Sequence, residues 1–172
     1  MYWISAFVED PPCLDGNRKP VPQSEVTSVY LHSPDDQMAV LATVTSRTFF
    51  LWWILVADAF HLTQTNLGEF PLRLEDLDES DYRVLVKTGN ALAKRLAKPG
   101  DHLLWTPYKK RWQGNFDLTR CRDITDKADE VLLAHFGLDE FLPAVETEFS
   151  HYMKAGGERP GTVRGALPDR DR

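Results

Sequence analysis

The run Phe49-Phe50-Leu51-Trp52-Trp53-Ile54-Leu55-Val56-Ala57 constrains this chain more than any other stretch. At helical spacing, Met38, Leu41, Val44, Thr48, Leu51, Trp52 and Leu55 fall on one face, and Phe49, Phe50, Trp53 and Ile54 occupy the others. A helix that is apolar all round has to be covered all round. The pattern therefore predicts one helix from about Gln37 to Val56 inside a core. Nine apolar residues, bracketed by Arg47 and Asp58, fall far short of the about 20 that cross a bilayer.

A chain of 172 residues with 42% hydrophobic and 27% charged content has the makings of one domain with a real core. The formal charge of −6 gives no global argument for a nucleic-acid partner. The local pattern does. Lys87 to Arg122 holds nine Lys/Arg against Asp101 and Asp117, and both flanks of this block are acidic. Such a block can form one positive face on a negative protein; its plainer reading is a solvated helix and loop. Cys13 and Cys121 are too few for a disulfide framework or a zinc site and fit a cytoplasmic protein.

Tyr2 to Val8 reads as a strand ended by Pro11-Pro12, and Val26 to His32 as a second. Because the first strand begins one residue after Met1, the chain is expected to be the distal part of a larger protein. Between the strands lies a polar loop carrying Arg18 and Lys19. Ser33-Pro34-Asp35-Asp36 reads as a turn ending in a helix N-cap, just before the helix expected from about Gln37. Asp78 or Ser80 caps a second helix, whose stripe Tyr82, Leu85, Gly89, Leu92 and Leu96 predicts close packing at Gly89. Leu103–Tyr108 and Asn115–Cys121 read as extended, joined by a loop over 109–114. Further helices are expected from about Thr125 to Phe136, stopping at Gly137, and after Asp139. The resulting fold class is α+β: short N-terminal strands, a buried aromatic helix, then a mainly helical part with a basic hairpin. The portions are 1–73, 74–153 and a Gly/Pro/Arg/Asp-rich tail, 154–172, expected to be disordered.

Few residues offer chemistry. Asp10-Pro11-Pro12-Cys13 has the shape of the D-P-P-aromatic motif of amino-methyltransferases, but Cys13 cannot stack on a base, and no glycine-rich turn precedes it. Asp58 and His61 lack a third ligand or a nucleophile nearby. His61, Thr63, Gln64 and Asn66 can hydrogen-bond either their own turn or DNA. Lys109-Lys110-Arg111-Trp112 either clamps a phosphate and stacks a base, or is an exposed hairpin with Trp112 folded onto the core.

Taken in order, these segments resemble the C-terminal region of adenine-specific DNA methyltransferases of restriction–modification and phage-exclusion systems. The likeness runs through the strand and proline pair (Tyr2–Phe7, Pro11-Pro12), the small-polar pair and aromatic cluster Thr45-Ser46-Arg47-Thr48-Phe49-Phe50-Leu51-Trp52-Trp53, and the turn Phe60-His61-Leu62-Thr63. It continues through Glu69-Phe70-Pro71-Leu72 and the closing segment Gly114–Leu138. A weaker likeness extends to the specificity subunits of multisubunit restriction enzymes. Arg47 departs from the pattern, where an uncharged residue is expected, and the catalytic half is missing.

The resemblance implies a target-recognition module for double-stranded DNA. Arg18, Lys19, Lys109, Lys110 and Arg111 would meet phosphates, and His61, Thr63 and Gln64 would face a groove. No cofactor is expected in this chain. S-adenosylmethionine would belong to a separate catalytic methyltransferase domain or subunit, and the chain alone would not methylate DNA. The alternatives are a protein-interaction module docking through its aromatic helix, or a nonfunctional remnant of such an enzyme.

Overall fold

A computed structural model describes residues 6–23, 26, 28–57, 62–154 and 161–167. The fold is α+β. A four-stranded antiparallel sheet, in the order β1-β3-β2-β4, is formed by β1 (Cys13–Asp15), β2 (Leu103–Tyr108), β3 (Arg111–Phe116) and β4 (Val163–Arg164). The helices are α1 (Pro34–Val44), α2 (Arg47–Val56), α3 (Gln64–Glu69), α4 (Glu79–Leu96), α5 (Arg122–His135) and α6 (Leu142–Lys154), and the sheet packs against α1 and α4.

The predicted long helix is two helices bent by 68°. Hydroxyls make the break. Thr45 Oγ1 donates to the Leu41 carbonyl at 2.7 Å and Ser46 Oγ to the Thr43 carbonyl at 2.6 Å. Ser46 Oγ also accepts from Phe49 N at 3.0 Å and so caps α2. Small hydroxyl residues offer the backbone this exit from a helix, which apolar periodicity does not register. Among the described residues no single helix is long and apolar enough to cross a membrane.

The bend aims the rings of α2 inward. Phe49, Phe50 and Trp53 are buried with Phe70, Leu132 and Phe149. Phe70, from the F-P-L segment, lies 5.0 Å from Phe49 and 5.2 Å from Trp52, so that segment anchors the aromatic helix. A second cluster joins the sheet to α1 and α4 through Met38, Leu92, Leu96, Leu103, Trp105 and Phe116. α4 follows its predicted stripe, with Asp78 capping Asp81 N at 2.8 Å. At Gly89 a Cβ would stand 2.0 Å from the Met38 carbonyl oxygen, so only glycine permits the contact of α1 with α4.

Other expectations need correction. Residues 6–8 are not in a strand, and residues 1–5 lie outside the described residues; Phe7 instead plugs the core against Phe116. The first strand is Cys13–Asp15. Val26 and residues 28–32 form no strand, because no neighbouring strand pairs with them and strand preference is realised only in a sheet. β3 starts at Arg111, so the basic loop shrinks to the two-residue turn Lys109-Lys110. Leu118–Cys121 is a 3₁₀ turn, and α5 begins at Arg122. The sequence reading leaves 154–172 disordered, yet Val163–Arg164 pairs with β2, and Trp105 Nε1 donates to the Gly165 carbonyl at 2.8 Å.

Candidate nucleic-acid interface

The polar loop after β1 folds tightly on its own aspartate. Asp15 Oδ1 accepts from Asn17 N and Lys19 N, each at 2.8 Å, and Arg18 N donates to the Asp15 carbonyl. Arg18 takes a positive φ of 62°, and Pro20 bridges back to Leu14. A short side chain that turns the chain by accepting nearby amides is the ordinary use of aspartate in loops. Here it sets Arg18 and Lys19 at one end of β1.

The same end of the sheet receives the hairpin. Asp15 pairs with Arg111 and Leu14 with Trp112, while Tyr108 pairs with Arg111 across the turn. A Cβ on Gly16 would lie 3.2 Å from the Lys110 carbonyl oxygen, which measures how closely the two loops approach. At Gly114 the amide donates to the Pro12 carbonyl at 2.8 Å, and a Cβ there would be 2.4 Å from that oxygen, so glycine lets the Pro-Pro segment lie flat on β3. Arg18, Lys19, Lys109, Lys110 and Arg111 thus share one corner.

Their charge is uncommitted. Lys19, Lys109, Lys110 and Arg111 are exposed, Arg18 is half-buried, and none of the five makes an ion pair among the described residues. Arg47, Arg73, Arg83, Arg95, Arg122 and Arg164, by contrast, each hold a carboxylate. The nearby Asp15 carboxylate accepts backbone amides through Oδ1. Free cations gathered on a rigid edge are what a phosphate backbone requires, since their counterions can be exchanged for phosphates.

The remaining predicted residues sit elsewhere. Thr63 caps α3, accepting from Asn66 N at 3.1 Å and donating to Asn66 Oδ1 at 2.8 Å. Gln64 Nε2 donates to the Ser28 carbonyl at 3.1 Å. Both side chains therefore serve their own turn and its neighbour. His61 and Asp58 lie outside the described residues. Trp112 is half-buried against the core, leaving Tyr108, 49% exposed, as the aromatic at the hairpin tip. Sequence reasoning missed Tyr108, although inward Leu103 and Trp105 set an alternation that turns residue 108 outward.

Arg47 explains its departure from the expected pattern. It is 2% exposed and reaches Asp129 at 2.8 Å, Glu146 at 2.9 Å and Asp126 at 3.3 Å, tying α2 to α5 and α6. Thr48 adds its amide and hydroxyl to Asp129 Oδ1 at 2.8 and 2.7 Å. Burial works against the charge of Arg47, but its carboxylates outweigh that and raise its pKa. Burial also pushes the Asp129 carboxyl above its ordinary value, against the pull of Arg47 and Thr48. The hydrogen bond from Arg47 holds Glu146 below the usual glutamate range. Cys13 and Cys121 are buried and unpaired, and burial raises the Cys121 thiol to about 11. Among the described residues no three His, Cys, Asp or Glu are grouped to hold a metal ion.

Comparison with protein-family models, curated proteins and solved structures finds no match to this chain.

Proposed function

We propose that this chain is a cytoplasmic DNA-binding module, the target-recognition part of a DNA adenine methyltransferase or restriction–modification protein. Methyl transfer from S-adenosylmethionine would be the work of a partner catalytic domain or subunit. The observation that carries the DNA reading is the meeting of two cation groups, Arg18-Lys19 and Lys109-Lys110-Arg111, at one sheet corner, with no ion pair to them among the described residues. The methyltransferase reading rests on the ordered sequence resemblance.

Phosphate contacts at this corner would supply affinity and register. Base reading from Thr63 and Gln64 requires them to leave the bonds they now make. The test is binding to mixed-sequence duplex DNA across a salt series, beside the Lys109→Ala/Lys110→Ala/Arg111→Ala variant. Affinity should fall steeply with salt, and the slope should shrink in the variant by about one for each cation that holds a phosphate. A folded protein that ignores duplex DNA at low salt overturns the proposal.

One observation favours a second reading, docking through the aromatic helix. Phe49, Phe50 and Trp53 of α2 are internal, but its last turn exposes Leu55 (80%) and Val56 (59%). Association with a catalytic subunit that resists salt and is lost in Leu55→Ser/Val56→Ser would support it.

A further inference from the structure

We propose that Tyr108 is a base-stacking residue, so that the cationic corner prefers DNA with an unstacked base, as in a single strand or a strand–duplex junction, to unbroken duplex. The inference rests on the corner being the DNA-binding site. Sequence alone offers Trp112 for stacking, but register assigns the two aromatics to opposite faces. Trp112 lies between Pro107 and Leu14 on the core side, while Tyr108 lies opposite Arg111 on the other. Cross-strand partners share a face, so the exposed phenol ring and the guanidinium form one surface.

Lys109 completes it, its ammonium standing 5.1 Å from the Tyr108 ring centroid. An exposed ammonium–ring contact is weaker than the stacking of a base on an aromatic ring. A base can therefore take the ring face, and the ammonium can move to the phosphate of the same nucleotide. Both faces of a base inside a duplex are already covered by its neighbours. A ring fixed on a hairpin tip can stack only where a neighbour is missing, which sets the preferred ligand. Stacking of this kind tolerates any base.

The experiment measures binding of three fluorescent DNAs (single strand, duplex closed into a circle so that it has no ends, duplex with a single-stranded overhang) across a salt series. The proteins are the full chain, Tyr108→Ala, Tyr108→Phe and the Lys109/Lys110/Arg111 alanine variant, each checked for an unchanged thermal melt. Tyr108→Ala should lose roughly tenfold in affinity for the single strand and the overhang, the order of one stacked base. Its duplex binding and salt slope should stay those of the parent, and Tyr108→Phe should behave like the parent on all three. If Tyr108→Ala binds every DNA like the parent, stacking is overturned while backbone binding survives. An equal loss on the closed circular duplex, or a loss in Tyr108→Phe, also overturns it. A parent chain that binds none of the three overturns both this inference and the DNA reading.

Discussion

The chain uses arginine in two opposite ways, at Arg47 and at the sheet corner. Arg47 is enclosed, each face of its guanidinium edge directed at a carboxylate, and it joins three helices. Arg111, Lys19, Lys109 and Lys110 are exposed and Arg18 is half-buried, and among the described residues none of them holds a carboxylate. A charge taken out of water has to be neutralised on the spot, so it becomes part of the architecture. A charge left in water keeps only mobile counterions and remains available to a polyanion. Net charge alone, at −6, separates neither role from the other.

The largest effect should come from breaking the enclosed set. Arg47→Met leaves Asp129 buried beside uncompensated charge and should cost about 3–5 kcal/mol in urea unfolding. Adding Asp129→Asn should recover part of this; strictly additive losses would show that the pair is not coupled. Acid should act on the same set through Glu146. Its pKa is lowered in the folded state, so its contribution is present above the ordinary glutamate range, about 4.5, and is lost as pH falls through the lowered value. Asp129, shifted upward by burial, works in the opposite sense. Glu146→Gln should therefore show a shallower loss of melting temperature in acid than the parent; parallel curves would remove Glu146 from the account.

Smaller effects belong to the corner. Lys109 holds a positive φ of 56°, strained for a residue with a side chain. Lys109→Gly should stabilise the fold by about 0.5–1 kcal/mol while weakening DNA binding, a combination that the enclosed set cannot give. Smallest of all, the Lys109/Lys110/Arg111 alanine variant should change stability by no more than about 0.5 kcal/mol, as at other exposed positions. A larger drop in its urea midpoint would mean that these cations hold the sheet together and would dissolve the contrast.

Features governed by near neighbours were legible in the chain itself. Asp78 starts α4 as expected by accepting the amide three residues ahead, whereas α1 starts a few residues before the expected Gln37 because Ser33, at the head of the predicted turn, caps it in the same way. The stripe on α4 and the demand for glycine at residue 89 follow from spacing alone. The hairpin was legible as two strands around a basic turn, though not its true length, because Arg111 to Gln113 become strand by pairing with β1 on one side and β2 on the other. The strand predicted at Val26–His32 failed at Val26 and residues 28–32 for the matching reason: among the described residues no strand lies beside them to pair with.

Sequence by itself determined the capped helices, the apolar content of α2 and the presence of two basic loops, since each follows from contacts within a turn or two. Only the tertiary structure decided which loops meet, as residues 90 apart, Gln23 and Gln113, come together beside β1 and β3. It also decided that Arg47 is enclosed while Arg111 is exposed, and that Tyr108 rather than Trp112 faces outward. Each of these depends on which distant segment arrives as a neighbour. Burial, and with it the meaning of a charge or a ring, is a property of that neighbour as much as of the residue.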